Sequence, residues 1–269
     1  MSSLTLEQPR RTTLLFHPSN IPLAPPAPWV TSPLRRALDF CVAASALLFC
    51  SPLFLIAAVA VRCSSSGPVL FRQQRMGRNG KKFTVYKFRS MYVCPQYSSP
   101  ITVRGDARVT PVGAILRRFK LDELPQLWNV LKGDMSLVGP RPKLPHHGGL
   151  HLTACPGLTG AATLAFRDEE ELLAAIPEEE LDEIYEKYVK PAKARLDFEY
   201  MRNATFTSDL AILWKTAVSC VCPWTSARFF SEEYHERPIL RRYCHISLRP
   251  GGDVKTEEMT RAQARKEPV

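Results

Sequence analysis

The stretch "ALDFCVAASALLFCSPLFLIAAVAV", from Ala37 to Val61, is an apolar run that decides between a soluble and a membrane-associated fold. Its only charged residue is Asp39, so 22 uncharged residues follow from Phe40 to Val61. As one α-helix these residues would extend about 33 Å, and the hydrocarbon core of a bilayer is about 30 Å thick. The run is therefore long enough to cross a membrane or to enter one.

The pair Ser51-Pro52 lies at the middle of this run and predicts a bend there. Proline removes a backbone hydrogen bond and its ring presses against the preceding turn of a helix. Basic residues flank both ends, so the positive-inside rule gives no direction; they are Arg35, Arg36, Arg62, Arg72 and Arg75. The residues alone leave open a kinked span and a re-entrant helix that returns to the same face.

The rest of the chain divides by composition around this run. Residues 1–33 are proline-rich without a sustained period, which predicts a disordered lead-in, and no secretory signal precedes the run. Residues 34–62 form the membrane helix, 63–224 a helix-rich α/β domain and 225–269 a polar, partly flexible extension. The sequence thus predicts an α/β membrane-associated domain with an N-terminal membrane helix and amphipathic surface helices.

Local signals predict several elements of this domain. The turn "GRNG" at Gly77–Gly80 separates the β-prone pieces Val69–Phe71 and Phe83–Phe88 and indicates a hairpin. Thr110 and Pro111 have the character of a helix cap and a first helical residue. An amphipathic helix follows Pro177, and another begins near Ser208 as a possible cap. This last helix could pack in the core or lie at a bilayer surface.

The positive charge is concentrated in one window. The chain carries a formal charge of +10, and Arg62–Lys143 contains sixteen basic and four acidic residues. This balance predicts an anionic partner. Nucleic acid is disfavoured, because the sequence has no helix-turn-helix pattern, no aromatic stacking series and no zinc-ligand spacing. The eight cysteines form no CxxC pair, which fits a reduced compartment.

An adjacent acid pair, Asp122-Glu123, stands inside the basic window in "KLDELPQLWNVLKGDMSLVGPRP", Lys120–Pro142. Neighbouring side chains on a regular helix point about 100° apart, so both carboxylates can meet one ion only at a helix end or a bend. Pro125 provides such an irregularity. Nearby cations should lower the pKa of both carboxyls and keep both ionised. Ionised carboxylates beside a divalent metal and arginines fit phosphoryl transfer, and the alternative is a surface ion-pair network.

Several blocks read together resemble the bacterial sugar transferases that are monotopic phosphoglycosyl transferases. The blocks, in order, are "RRALDF", the "SP" break, "GPVLFRQQRMGRNGKKFTVYKFRSM", "DARVTPVGAILRRFKLDELPQLWNVLKGDMSLVGPRP", "PGLTG" and "SDLAILWKT". They cover the chain from about Arg35 to Thr216. Members of this family move a sugar phosphate from a UDP-sugar to a polyprenyl phosphate such as undecaprenyl phosphate.

The resemblance implies a topology and a location. It favours a re-entrant helix broken at Ser51-Pro52, with both ends on the cytoplasmic side of the bacterial inner membrane. The phosphoglycosyl transferase domain, 63–224, would then lie on the cytoplasmic face. The expected partners are a UDP-sugar, the polyprenyl phosphate lipid and the bilayer, and the resemblance leaves a homo-oligomer open.

The resemblance also implies roles for particular residues. Asp122 is the expected nucleophile, which releases UMP in a ping-pong reaction, and Glu123 assists it through Mg²⁺ held by both carboxylates. Further cations at matching positions are expected to bind the substrate phosphates: Lys87, Arg89, Arg117 and Arg141.

Two other activities remain as alternatives at this stage. A Mg²⁺-dependent membrane phosphatase would discharge the aspartyl intermediate with water, and a basic membrane-anchored binding module would perform no turnover. The chain also departs from the family pattern. Lys120 replaces a common serine, and the block after "PGLTG" differs, which bears on the sugar more than on the reaction type.

Overall fold

The computed structural model describes residues 25–93, 105–145, 153–167, 169–174 and 176–221. Predictions for 1–24 and 222–269, including most of both terminal extensions, lie outside these residues. The described part is a helix-rich α/β fold with two small sheets, as the sequence predicts. The helices are α1 Pro33–Phe49, α2 Ser51–Ser64, α3 Pro111–Arg118, α4 Leu127–Lys132, α5 Ala161–Ala165, α6 Glu169–Ala174, α7 Glu178–Ile184, α8 Lys190–Asn203 and α9 Phe206–Val221. The strands are β1 Leu70–Met76, β2 Lys82–Phe88, β3 Ser136–Val138 and β4 Gly157–Thr159.

Helices α1 and α2 form a bent pair with Cys50 between them. Their axes are bent by 62° at this break, and Ser51 Oγ donates a hydrogen bond of 2.8 Å to the carbonyl of Leu48. Ser51-Pro52 begins α2, so the predicted position of the break is confirmed. Within the described ranges, no helix by itself has the length and apolar character to cross a membrane, whereas α1 and α2 together have both.

Strands β1 and β2 form the predicted antiparallel hairpin. Arg72 pairs with Tyr86, and the register continues to Met76 and Lys82. The turn uses positive φ angles at Asn79 (53°) and Gly80 (76°), which glycine adopts without steric conflict and asparagine tolerates. The first strand extends five residues beyond the apolar piece seen in the sequence, because its polar residues face solvent on one side.

The segment from α3 to α4 positions the acid pair. Thr110 Oγ1 accepts a 2.9 Å hydrogen bond from the backbone N–H of Gly113, which confirms the predicted cap. Helix α3 ends at Arg118, and a 3₁₀ helix, Leu121–Gln126, separates it from α4. Lys120 joins the two in a left-handed conformation with φ of 56°. This irregular backbone near Pro125 is the feature that the sequence predicts.

The parallel pair β3–β4 lies at the centre of the largest core. Asp39 of α1 binds its edge, because its carboxylate accepts hydrogen bonds from Ser136 Oγ (2.7 Å) and the backbone N–H of Leu137 (3.1 Å). The core around it is apolar and includes Val85, Leu127, Val130, Met135, Leu137 and Val138. The single charge of the apolar run thus fastens α1 to β3.

The C-terminal helices pack against this core. Helix α7 follows Pro177 as predicted and continues through a π-helical turn, Tyr185–Val189, into α8. Helix α9 begins at Phe206, where Thr205 and Ser208 exchange side chain–backbone hydrogen bonds of 2.9 and 3.1 Å. The prediction of Ser208 as the cap is therefore wrong, since Ser208 lies inside the first turn and Thr205 precedes it.

Residues 27–31 belong to the predicted disordered lead-in but are ordered in the structure. Residues 28–31 form a 3₁₀ helix, and the backbone N–H of Ala27 donates a 2.8 Å hydrogen bond to the carbonyl of Met201. Val30 is buried in the core. These residues therefore pack against the fold, although their proline-rich composition predicts disorder.

Candidate active site

The acid pair lies in the 3₁₀ helix Leu121–Gln126, and both carboxyl residues are buried, with 8% of Asp122 and 9% of Glu123 exposed. The strand β2 presents Lys87 to the pair, and the segment after β3 presents Arg141. These three parts of the chain are distant in sequence. The fold therefore brings together four of the predicted site residues: Lys87, Asp122, Glu123 and Arg141.

Glu123 is held by two cations at one oxygen. Its Oε1 accepts hydrogen bonds from Lys87 Nζ at 2.7 Å and from Arg141 Nη2 at 2.6 Å. Burial by itself would favour the neutral acid, but the charges of Arg141 and Lys87 outweigh burial and lower the pKa of Glu123. Glu123 is therefore a fixed anion at neutral pH, as predicted.

Asp122 has the opposite environment. Its Oδ1 is buried and has no hydrogen-bond partner within the described residues. Burial and the neighbouring charge of Glu123 raise the pKa of Asp122, although Lys87, Lys120 and Arg117 act in the other direction. The prediction that cations lower the pKa of both carboxyls is thus confirmed for Glu123 and wrong for Asp122. An unsolvated, unpartnered carboxylate oxygen is a reactive group.

The donor set fits a magnesium ion. Among the described residues, no group of three or more His, Cys, Asp or Glu side chains is arranged to hold a metal. Mg²⁺, however, commonly uses only one or two carboxylates and takes its other ligands from water and substrate phosphates. The unpartnered Asp122 Oδ1 and the adjacent Glu123 meet this requirement.

Arg117 is engaged by an acidic residue from another helix. Its guanidinium forms an ion pair with Glu170 of α6. Burial raises the pKa of Asp122, and the charge of Arg117 opposes this rise without cancelling it. The structure therefore brings Arg117 within electrostatic reach of the acid pair, with its own hydrogen bond directed to α6.

Arg89 binds the end of α2 instead of the acid pair. Its guanidinium donates hydrogen bonds to the carbonyls of Pro68 (2.6 Å) and Ser65 (2.7 Å) and to that of Val61 (3.4 Å). Nε of this buried residue has no partner in the described part of the chain. These contacts fix the segment between α2 and β1, so the structure does not join Arg89 to the other predicted site residues.

Further cations surround the site that sequence reasoning did not identify. Arg75 Nη1 donates to the carbonyl of Pro142 at 3.2 Å, and burial together with the charge of Arg141 lowers the pKa of Arg75 to about 10. Lys193 of α8 pairs with Glu169 at 2.6 Å and lies 5.2 Å from the centre of the Phe166 ring. Arg75 alternates with polar residues in β1, which is the only signal that the sequence offered for it.

Comparison with known proteins identifies the family of this chain. Residues 30–222 match the family model described as Bacterial sugar transferase. The chain is 39% identical over 215 residues to the UDP-glucose:undecaprenyl-phosphate glucose-1-phosphate transferase of Escherichia coli K12. It is 34% identical over 200 residues to the UDP-N-acetylgalactosamine-undecaprenyl-phosphate N-acetylgalactosaminephosphotransferase of Aeromonas hydrophila. This protein belongs to the bacterial sugar transferase family.

The length of the match differs between relatives. The two transferases above are matched over 74% and 68% of this chain, but over only 43% and 42% of their own length. The Exopolysaccharide production protein PSS of Rhizobium leguminosarum bv. phaseoli, 38% identical over 207 residues, is matched over 94% of its length. Residues 30–222, which match the family model, contain the helix pair, the acid pair and α9.

Proposed function

We propose that this protein transfers a sugar 1-phosphate from a UDP-sugar to undecaprenyl or a related polyprenyl phosphate and releases UMP, at the start of exopolysaccharide or related glycoconjugate synthesis. The observation that carries the proposal is the contrast within the acid pair. Glu123 is an anion paired with Lys87 and Arg141, whereas the buried Asp122 Oδ1 has no partner among the described residues. Two relatives are named as transferases that use a UDP-sugar and undecaprenyl phosphate, and these names support the same substrates here.

The chemistry has two displacements at one phosphorus. An Asp122 carboxylate oxygen attacks the β-phosphorus of the UDP-sugar, and the bond to the bridging oxygen breaks, so UMP leaves with that oxygen. The sugar phosphate remains on Asp122 as an acyl phosphate. An oxygen of the lipid phosphate then attacks the same phosphorus, the bond to Asp122 breaks, and the carboxylate is restored. Arg141 and Lys87 offset the charge that both substrates bring.

A bound Mg²⁺ would be held by Asp122 and Glu123 and would supply further neutralisation of the diphosphate. Glu123 is ionised over the whole physiological range, because Arg141 and Lys87 hold its pKa low against the effect of burial. It therefore keeps a fixed negative charge beside the nucleophile. This charge also keeps the pKa of Asp122 raised, so a cation or a substrate complex that reduces it favours the reactive carboxylate form.

The helix pair would place this site at a membrane. Around the bend the apolar side chains are exposed, with 72% of Leu48 and 81% of Phe49 accessible, and exposed apolar surface of this kind is expected to meet lipid. We place the pair as a re-entrant segment of the bacterial inner membrane, with the catalytic domain on the cytoplasmic face. Two probes test this: the exposed Cys63 near the end of α2, and Leu34→Cys near the start of α1, each as the single cysteine. Labelling of both from the cytoplasmic side supports the topology, and labelling from opposite sides contradicts it.

Product analysis tests the reaction. Membranes with the protein, Mg²⁺, undecaprenyl phosphate and a panel of UDP-sugars should yield UMP and a lipid diphosphosugar. Asp122→Asn should lower turnover roughly a thousandfold or more. Inorganic phosphate as the product would indicate the phosphatase, absence of turnover with every sugar would indicate a binding module, and full activity of Asp122→Asn would exclude the covalent route.

A further inference from the structure

An apolar groove of about 390 Å³ lies below the bend of the helix pair. Its walls come from α1, α2, the β1–β2 hairpin and the segment that carries the acid pair. The residues that line it are all uncharged: Leu47, Phe54, Leu70, Tyr86, Pro125 and Trp128. Its size lies in the range of ligand-binding sites.

One end of the groove adjoins the acid pair. Pro125 belongs to the same 3₁₀ helix as Asp122 and follows it by three residues, which is about 6 Å along the axis of such a helix. In β2, Lys87 faces the acid pair and its neighbour Tyr86 lines the groove, since successive side chains of a strand point to opposite sides.

The segment that carries the acid pair runs along the free edge of β2 and contributes to both of its sides. Asn129 of α4 accepts a hydrogen bond from the backbone N–H of Tyr86 (3.3 Å) and donates one to the carbonyl of Thr84 (2.7 Å). The groove is therefore separated from the reactive carboxylates by one edge of the strand.

The other end of the groove opens at the exposed part of the helix pair. Leu47 and Phe54 flank the break, and their neighbours Leu48 and Phe49 are exposed. An apolar path therefore runs from the surface expected to meet lipid to the turn that carries Asp122.

Cations lie on the rim of the groove. The guanidinium carbon of Arg72 is 5.9 Å and Lys132 Nζ is 5.5 Å from the centre of the Tyr86 ring. Lys87 and Arg141 lie on the other side of the strand edge, where both pair with Glu123. The groove therefore combines an apolar lining with positive charge at its rim. This combination is complementary to an amphiphile that has an anionic head and a hydrocarbon tail.

We propose that this groove binds the first isoprene units of the polyprenyl phosphate acceptor and so directs its phosphate to the acid pair. The proposal rests on the proposed function, because it assigns a place to the lipid substrate of that reaction. It commits the groove to the polyprenyl chain and not to the acyl chain of a bilayer phospholipid.

The kinetic test uses Trp128→Ala, which removes a groove wall whose side chain is half exposed, so that loss of the fold is not expected. KM for undecaprenyl phosphate should rise about tenfold, whereas KM for the UDP-sugar should change less than about twofold. With methyl phosphate, which carries no isoprene unit and cannot occupy the groove, wild type and variant should differ little. The matched control is Trp214→Ala, which removes an exposed indole from α9 and should keep the preference for the long chain.

A binding measurement separates this proposal from the proposed function. The full chain in phosphatidylglycerol vesicles is photolabelled with a polyprenyl phosphate that carries a diazirine in its first isoprene units, and the labelled peptides are mapped. Label at Leu47, Tyr86 or Trp128 that unlabelled undecaprenyl phosphate displaces supports the groove, even if no turnover is found. Label elsewhere, or a photoreactive phospholipid that labels the groove and is not displaced, would overturn it. Unchanged lipid KM in Trp128→Ala would also overturn it.

Discussion

Asp122 and Glu123 are neighbours in the chain, yet their carboxylates lie in opposite electrostatic environments. Glu123 Oε1 accepts hydrogen bonds from Lys87 and Arg141, while Asp122 Oδ1 is buried without a partner among the described residues. Both residues lie on the 3₁₀ helix Leu121–Gln126, which the chain enters through the left-handed Lys120. One carboxylate is fixed as an anion and the other is left available for chemistry.

This contrast predicts opposite shifts of the pH profile in two variants. In Glu123→Gln, loss of the negative charge should lower the pKa of Asp122, so the acidic limb of kcat/KM moves to lower pH even though the maximal rate falls. In Lys120→Met, loss of a cation should raise that pKa and move the limb to higher pH. Each shift should be about one pH unit. Profiles measured from pH 5 to 9 with the UDP-sugar decide it, and shifts in the same direction would contradict the assignment of Asp122.

Lys87 and Arg141 should act as one unit, because they share Glu123 Oε1. We expect Lys87→Met and Arg141→Met each to lower kcat/KM by about a hundredfold, and the double variant to lose much less than the product of the two. The coupling energy should lie at about 1–3 kcal/mol. Exposed Lys187, paired with Glu183 on the solvent side of α7, provides a control whose replacement should combine additively with either variant.

The buried cluster around Asp209 should be a main source of stability. Asp209 Oδ2 accepts hydrogen bonds from Arg35 Nε and Trp29 Nε1, both at 2.9 Å, and Oδ1 accepts one from Tyr200 Oη at 2.6 Å. Asp209→Asn leaves the buried Arg35 without its counter-charge and should lower the free energy of unfolding by about 3–5 kcal/mol. Urea unfolding in detergent measures this.

The control for Asp209 is an exposed ion pair. Glu199→Gln removes the solvent-exposed partner of Arg195 and should change the free energy of unfolding by less than about 0.5 kcal/mol. Equal effects of Asp209→Asn and Glu199→Gln would show that the cluster does not fasten α1 to α9.

Asp197 should make stability decrease as pH rises. It is buried on α8, and burial raises its pKa from 3.8 to about 7, against the opposing charges of Lys143, Lys193 and Arg141. The folded state therefore retains a proton that the unfolded state loses near pH 4, and the associated stability disappears between pH 4 and pH 7. The difference between a pKa of 3.8 and a pKa of about 7 corresponds to at most about 4 kcal/mol in the free energy of unfolding.

Asp197→Asn should remove this part of the pH dependence. The free energy of unfolding of the variant, measured at pH 5 and pH 8, should differ less between the two values than that of the wild type. A slope identical to that of the wild type would show that Asp197 is already ionised in the folded protein at pH 5.

Local chemistry allowed much of the fold to be predicted from the sequence. The break at Ser51-Pro52 follows from the missing proline N–H, the hairpin from "GRNG", and the start of α3 from the Thr110 cap. The candidate nucleophile and its cations were inferred from a resemblance spread over several blocks. The family match confirms that resemblance, and the roles of the residues stay predictions. The cap of α9 was misplaced by three residues, because Thr205 and Ser208 are both good capping residues and only their mutual hydrogen bonds distinguish them.

By itself the sequence determined the bend between α1 and α2, the hairpin, the presence of the acid pair and the family of the protein. Each of these depends on residues close together in the chain or on motifs in a fixed order. Only the tertiary structure decided which cation serves which carboxylate. Lys87 of β2 and Arg141 after β3 both bind Glu123 Oε1, whereas Arg89, two residues after Lys87, binds the end of α2. The physical reason is that burial and long-range ion pairing, which set the charge state of Asp122, depend on contacts between segments far apart in sequence.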